Sequence, residues 1–345
     1  MAADAFTLVL GGGGMKGLAH VGVLQALDEA GLRPSLVVGS SIGALVAATW
    51  ATGMPMDEIV TRARAVRRRD VFQIAHMDMA FKRMRSPAVY RPEPLDALIG
   101  ELVGPRTFRE LPHRLLVNAA DLNAGAQVLF GLPGLDAVRV ADAVFASCAL
   151  PGLFPPRRIG GRWYADGAVV DNLPVHLAAA ANGRVPIMAV TLAATALPRQ
   201  AVQEEGFAAT YSRGFELVMQ QAVESGLRGW REPPLVLVQP DVQHISMFAF
   251  DRTDELIEAG YRATRDVLTT IQSPLVLEAG VHPRRRTTVR VDAVRCIGCG
   301  LCAMWAPHVF RMQDGKAVVT SAEQHWSAID GLFGRRCPTG AIVTD

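Results

Sequence analysis

The chain has 345 residues, half of them hydrophobic, with a formal net charge of +2. That length suggests two domains, or one large domain plus an appendage, and so small a charge argues against nucleic acid as a partner. Basic runs at Arg67-Arg68-Arg69, Lys82-Arg83, Arg157-Arg158 and Arg284-Arg285-Arg286 read as solvated faces.

No segment approaches the roughly 20 uninterrupted apolar residues of a membrane span. Met1-Ala2-Ala3-Asp4 lacks the positive start of a signal peptide, so the expectation is a cytoplasmic protein. Phe6 to Leu10 reads as a buried strand and Leu18 to Ala30 as a helix, with Leu18, Val21, Leu24 and Leu27 at helical spacing. Gly31 ends that helix. Ser35 to Val38 is a second short apolar strand, so the start of the chain is a βαβ unit and the sheet is at least partly parallel.

Gly39-Ser40-Ser41-Ile42-Gly43 joins the second strand to an apolar helix at Ala44-Leu45-Val46-Ala47-Ala48. A serine between strand end and helix start, with glycine two residues away on each side, has the pattern of a nucleophile elbow. Side chains at Gly39 and Gly43 would collide in so tight a turn, and the tightness pushes the Ser41 hydroxyl out over the sheet edge.

The loop Gly12-Gly13-Gly14-Met15-Lys16-Gly17 has three readings. It matches the dinucleotide pattern, but the second strand ends without the carboxylate that would hold a ribose. A phosphate loop wants Gly-Lys followed by Ser or Thr, and here the order is Lys16-Gly17-Leu18. The third reading is an oxyanion hole, with bare N–H groups of Gly12, Gly13 and Gly14 converging on one oxygen and the Ile42 N–H as an extra donor.

Val71 to Arg85 interleaves Phe72, Ile74, Met77, Met79, Phe81 and Met84 with Lys82, Arg83 and Arg85. The expectation there is core packing or a cap over an acyl-chain site, with peripheral, salt-sensitive membrane contact. Further strands are expected at Leu115–Ala120, Gln127–Phe130, Pro186–Ala193 and Leu235–Gln239, and helices at Asp136–Leu150, Glu204–Leu227 and Asp254–Ile271. The lone Cys148 reads as a small buried hydrophobe.

Arg162-Trp163-Tyr164-Ala165 reads as a strand delivering Asp166 into a glycine turn. Together with the glycine loop, the elbow, Ala146 to Pro155 and Asp166 to Val175, it makes residues from Phe6 to about Thr270 resemble the patatin-like phospholipases. The resemblance implies a three-layer α/β/α sandwich and a Ser–Asp dyad, with Ser41 as nucleophile and Asp166 as base. His176 and His244 carry no local mark of a catalytic base, in agreement with a dyad.

Four of five cysteines lie in the last 50 residues. Cys296, Cys299 and Cys302 at C-x-x-C-x-x-C, with a distant Cys337-Pro338, form an iron–sulfur signature. A zinc ribbon would show a second C-x-x-C pair. The segment resembles a bacterial-type ferredoxin domain, small and α+β. Ala306 stands where a two-cluster ferredoxin has its fourth cysteine, which implies one cluster, and Cys299 as the central ligand favours [4Fe–4S], with [3Fe–4S] as the alternative. Phe310 to Val319 reads as a hairpin and Ala322 to Phe333 as a helix.

The expected organisation is a hydrolase domain at 1–272, a linker at 273–286 and a ferredoxin-like domain at 287–345. The expected function is lipid acyl hydrolysis of a fatty-acyl ester or phospholipid, in the cytoplasm with peripheral contact at the inner face of the membrane. The cluster module is expected to serve either electron transfer to a redox partner protein or redox sensing that regulates the hydrolase. The rivals are an acyltransferase with the same dyad and an electron-transfer protein whose hydrolase fold only binds lipid.

Overall fold

The computed structural model describes residues 5–74, 88–192, 206–271, 278–331, 334 and 336–344. The strands of its larger part are β1 (Thr7–Leu10), β2 (Leu36–Ser40), β3 (Leu115–Asp121), β4 (Ala126–Phe130), β5 (Arg157–Ile159), β6 (Arg162–Asp166), β7 (Ile187–Val190), β8 (Leu235–Val238) and β9 (Val281–His282). Its helices are α1 (Ala19–Glu29), α2 (Ile42–Ala51), α3 (Met56–Ala65), α4 (Glu93–Val103), α5 (Val140–Cys148), α6 (Val175–Asn182), α7 (Gly206–Leu227) and α8 (Thr253–Thr270).

The strands form one mixed sheet in the order β5-β6-β3-β2-β1-β7-β8-β9, with β4 paired to β3. From β3 to β9 the pairings along this order are parallel, whereas β4, β5 and β6 are antiparallel additions. Every residue of β1, β2, β7 and β8 is buried. That is why these strands read as continuous apolar runs rather than alternating ones: helices cover both faces. Leu8 and Leu10 face a core shared with α1, α2, α4, α5 and α8, while Val9 faces the opposite core, shared with α6 and α7. The expected three layers are present.

Most of the expected elements are present with shifted ends; the helix expected at Asp136–Leu150 begins only at Val140. The methionine- and phenylalanine-rich stretch lies largely outside the described residues, at 75–87. Phe72, which is described, joins an aromatic cluster with Tyr90, Phe154, Phe248 and Phe250.

The C-terminal part comprises β10 (Arg284–Val291), α9 (Leu301–Trp305), β11 (Phe310–Gln313), β12 (Lys316–Val319), β13 (Glu323–Ser327) and β14 (Ile342–Thr344). Here the helix expected at Ala322–Phe333 is corrected. Glu323–Ser327 is a strand, paired antiparallel with Arg284–Thr288. The pairing outweighs local helix propensity, and its burial alternates from Glu323 to the buried Ser327.

The segment expected as a linker is also strand in much of its described part. Val281 and His282 pair with β8, and one residue later Arg284 opens β10. The two parts meet elsewhere too. Arg336 donates to Glu224 of α7 at 3.1 Å and to Gln221 at 3.3 Å, and the Arg228 and Arg336 guanidinium groups lie over the Trp305 ring.

The turn from β2 to α2 is as tight as the glycine spacing implies. A Cβ on Gly39 would sit 2.4 Å from the Ala44 Cα, and one on Gly43 would sit 2.2 Å from the Leu10 carbonyl oxygen. Ser41 between them is held at φ 54°, ψ −129°, a conformation that a residue with a side chain rarely adopts. Because the opposing atoms are backbone, no side chain can move aside. Gly43→Ala is therefore expected to lower folding stability by more than about 3 kcal/mol, read as a chemical-denaturation midpoint shift. A shift below about 1 kcal/mol would contradict this packing.

Candidate active site

The site is organised on one edge of β3. Strand β2 runs parallel along that edge and ends with Ser40 opposite Asn118. Strand β6 runs antiparallel along the same edge, since β4 occupies the other, and ends with Asp166 opposite Ala119. Two strands thus meet head to head at consecutive residues of β3. The residue after β2 is Ser41 and the last residue of β6 is Asp166, so the two are brought together from 125 residues apart.

Ser41 Oγ–H donates to Asp166 Oδ2 at 2.6 Å. The other carboxyl oxygen, Oδ1, accepts the Ala168 N–H at 2.8 Å, which fixes the plane of the group. Asp166 is only 2% exposed. Burial pushes its carboxyl up to about 7, against the opposing hydrogen bonds from Ser41 and Ala168. A carboxyl with that value can take a proton near neutral pH and return it.

Several polar groups that the sequence reading did not single out hold this arrangement. The Ser41 N–H donates to Ser147 Oγ at 2.8 Å, and the Ser147 hydroxyl donates to the Asn118 carbonyl at 2.6 Å. Asn118, fully buried, turns its amide N–H groups toward the Asp171 carbonyl at 2.7 Å, the Gly167 carbonyl at 3.1 Å and Ser40 Oγ at 3.1 Å. Its Oδ1 accepts from Gln127 at 2.9 Å. A lone asparagine inside the apolar run from Leu115 to Ala120 was the available signal. Gly167 lies so close that a Cβ there would stand 2.4 Å from the Asn118 carbonyl oxygen, which explains the glycine after Asp166.

The glycine loop follows β1, beside the elbow. Gly12 differs from expectation: its N–H donates to the Asn172 carbonyl at 3.2 Å and is turned away from Ser41. The N–H groups of Gly13 and Gly14 donate to no backbone carbonyl among the described residues, and the Ile42 N–H, at the first position of α2, has none either. His20, also not anticipated, donates from Nε2 to the Gly11 carbonyl at 2.8 Å, and burial lowers it to about 4, so it is neutral.

The other two histidines named in the sequence have partners of their own. His176 bonds the Gly226 carbonyl and His244 bonds Glu255.

From Ser41 an apolar cavity runs inward between α1, α2, α3 and α4. Leu18, Val21, Leu45, Val46, Ile59, Leu95, Leu98 and Leu102 line it, with Phe72 and Phe154 as further walls. Cys148 lines it too. Burial, and then the Asp166 charge, push that thiol well above its ordinary value, so it behaves as a hydrophobe beside Ser41.

In the C-terminal part, Cys296, Cys299, Cys302 and Cys337 all line one cavity, with Ile297, Leu301, Trp305 and Arg336. Among the described residues no three side chains converge as they would around a single metal ion. The sulfurs already receive backbone hydrogen bonds, from the Ala317 N–H to Cys296 at 3.5 Å and from the Ala341 N–H to Cys337 at 3.3 Å. Four thiols around a cavity, with N–H donors turned toward the sulfur atoms, fit a thiolate-held cluster.

Comparison with known proteins follows this division. Residues 8–179 match the family model for patatin-like phospholipase, and residues 291–344 match the model for the 4Fe-4S single cluster domain of Ferredoxin I. An uncharacterized NTE family protein of Mycobacterium tuberculosis is 35% identical over 180 residues, 52% of this chain and 47% of the relative. A second one from that organism is 30% identical, covering 78% of this chain and 47% of the relative. Lysophospholipase NTE1 of Debaryomyces hansenii is 28% identical over half of this chain and 11% of its own length. The chain thus spans about half the length of the first of these relatives. Among solved structures, VipD from Legionella pneumophila aligns over 76% of this chain and 66% of its own, at 18% identity and a TM-score of 0.43. The chain thus contains a patatin-like phospholipase domain, followed by a single-cluster ferredoxin-type domain.

Proposed function

We propose that this protein cleaves fatty-acyl esters, phospholipids or lysophospholipids among them, through a covalent acyl group on Ser41. The observation that carries this reading is the 2.6 Å hydrogen bond from Ser41 Oγ to a buried Asp166 at the mouth of an apolar cavity. In the proposed reaction, Asp166 accepts the Ser41 proton as Oγ attacks the ester carbonyl carbon. The carbonyl oxygen becomes an oxyanion, held by the N–H groups of Gly13, Gly14 and Ile42. Each such donor is worth on the order of 3 kcal/mol. The C–O bond to the alcohol breaks and Asp166 returns the proton to the leaving oxygen. Water then attacks the acyl-Ser41 carbonyl and gives a proton to Asp166; the acyl–Oγ bond breaks, Asp166 returns the proton to Ser41 Oγ, and the fatty acid leaves. The acyl chain occupies the apolar cavity throughout.

Cys296, Cys299, Cys302 and Cys337 are proposed to hold one [4Fe–4S] cluster, which when bound supplies one-electron chemistry. Ester cleavage moves no net electrons, so the two sites act separately, the cluster serving a redox partner. No helix among the described residues is long and apolar enough to cross a membrane. Access to lipid is proposed through peripheral contact.

A fluorophosphonate probe is expected to label the wild type and spare Ser41→Ala. Asp166→Asn should lose roughly 10²–10⁴-fold in kcat; full activity of that variant would reject the dyad.

The raised Asp166 value gives a pH signature. The ionised carboxylate is the base, so kcat/KM should rise with pH through about 7. Unfolded, the carboxyl returns to its ordinary value of 3.8, so between about pH 4 and 7 the folded state binds more protons. Stability from this group is fully present below about pH 4 and lost as pH rises through about 7. Melting curves of wild type should show that decline and those of Asp166→Asn should not.

For the cluster, anaerobic reconstitution should give about four irons and four sulfides per chain, and less than half that in Cys299→Ser. The esterase rate of the reconstituted protein should be unchanged by dithionite. A rate that follows the redox state would show that the two sites do not act separately.

A further inference from the structure

Among the described residues Asn172 makes no hydrogen bond to Ser41 or Asp166, yet it is fully buried and its Oδ1 lacks any hydrogen-bond partner. A buried amide oxygen without a donor costs free energy and asks for an explanation. The explanation lies in what the rest of the residue touches. Its backbone carbonyl accepts the Gly12 N–H at 3.2 Å, and its Nδ2 donates to the Gly12 carbonyl at 3.4 Å. Oδ1 lies over the Gly12 Cα, so that a Cβ built there would stand 2.5 Å from it. Asn172 therefore closes on Gly12 from three sides, the third contact being of the weak Cα–H to oxygen kind.

We infer that Asn172 is the positioning residue of the oxyanion loop, an inference that rests on the hydrolase reading above. By occupying the Gly12 N–H it removes that group from the hole. By fixing the Gly12 carbonyl as well, it sets the orientation of the peptide that follows, whose N–H belongs to Gly13. Gly13 and Gly14 are left as the loop's donors. Asn172 is itself held, because the Asp171 carbonyl immediately before it accepts from Asn118 at 2.7 Å, and the Leu173 N–H after it donates to Asp171 Oδ1 at 3.0 Å. The loop is thus located relative to β3, the strand that also places Ser41 and Asp166. Gly12 is glycine for the same reason: any side chain would meet Oδ1 of Asn172 and, at 3.1 Å, the Cβ of Ser41.

The test uses the full chain and two readouts. The first is kinetic. Asn172→Ala and the near-isosteric Asn172→Asp should lower kcat roughly 10–100-fold with KM within about twofold, because misplaced donors act on the transition state. A long-chain trifluoromethyl ketone, which adds Ser41 and leaves a negative oxygen in the hole, should lose affinity by the same factor. The matching methyl ketone, which stays neutral, should bind as to wild type. The second readout is a stability cycle of Gly12→Ala, Asn172→Ala and the double variant. Removing the amide should relieve the collision at position 12, so the double variant should be more stable than the sum of the single changes implies. An active wild type with unchanged kcat and ketone affinity in both Asn172 variants, or an additive cycle, would overturn the inference alone. A wild type that neither hydrolyses esters nor reacts with fluorophosphonate would overturn the hydrolase reading and this inference with it.

Discussion

The hydrogen bonds of Asn118 are the constraint on which the site depends. An amide in the middle of a buried strand cannot be left unpaired without a cost of about 1–3 kcal/mol per group. Here it finds the Ser40 hydroxyl at the end of β2, the Gly167 carbonyl just after β6 and the Asp171 carbonyl beyond it. Its backbone carbonyl takes the Ser147 hydroxyl, which in turn holds the Ser41 N–H. Each bond contributes about 1 kcal/mol net. What they supply together is registration of the elbow, the aspartate turn and the segment reaching the glycine loop against one residue.

Around that framework the charged side chains are paired, Arg62 of the cavity wall with Glu58 and the buried Lys16 of the glycine loop with Glu216. Burial, rather than a neighbouring charge, is the main reason Asp166 resists ionisation. The same lack of solvent keeps His20 neutral and the Cys148 thiol protonated. A largely apolar cavity, with Arg62 on its wall paired to Glu58, suits an acyl chain, and in the proposed reaction the proton between Ser41 and Asp166 is the one that moves. In the proposed dyad a buried carboxyl stands where a histidine would serve in a triad, and the 2.6 Å contact leaves no room between Ser41 and Asp166 for a third side chain.

What the sequence made legible followed from short-range rules. Gly39, Gly43 and Ser41 could be assigned because the collision that forbids side chains arises within a single turn and the strand beside it. The cysteine spacing was readable for a similar reason. Asn118, Ser147 and Asn172 were not, since their roles exist only once β3, α5 and the Asp166 turn have come together. Gly12 shows the limit most directly. Bare glycines at Gly12, Gly13 and Gly14 imply three free N–H groups, but the Asn172 carbonyl, 160 residues away, takes that of Gly12. The strand at Glu323–Ser327 was missed because its partner, Arg284–Thr288, lies where the proline and arginine content suggested a loose connection.

That connection changes how the fusion is understood as an object. Val281 and His282 form the last strand of the large sheet, only two residues long, and a single residue, Pro283, separates them from β10 of the cluster-bearing part. An open sheet edge invites pairing with another chain, and a very short edge strand that leads at once into a folded unit is one way of closing it. The ferredoxin-type part thus serves as an end piece to the hydrolase sheet as well as a passenger on it. With a single residue at the junction the tether has little slack, and drawing the cluster-bearing part away would break the Arg336 contacts to α7 and pull on the edge strand from which it leads.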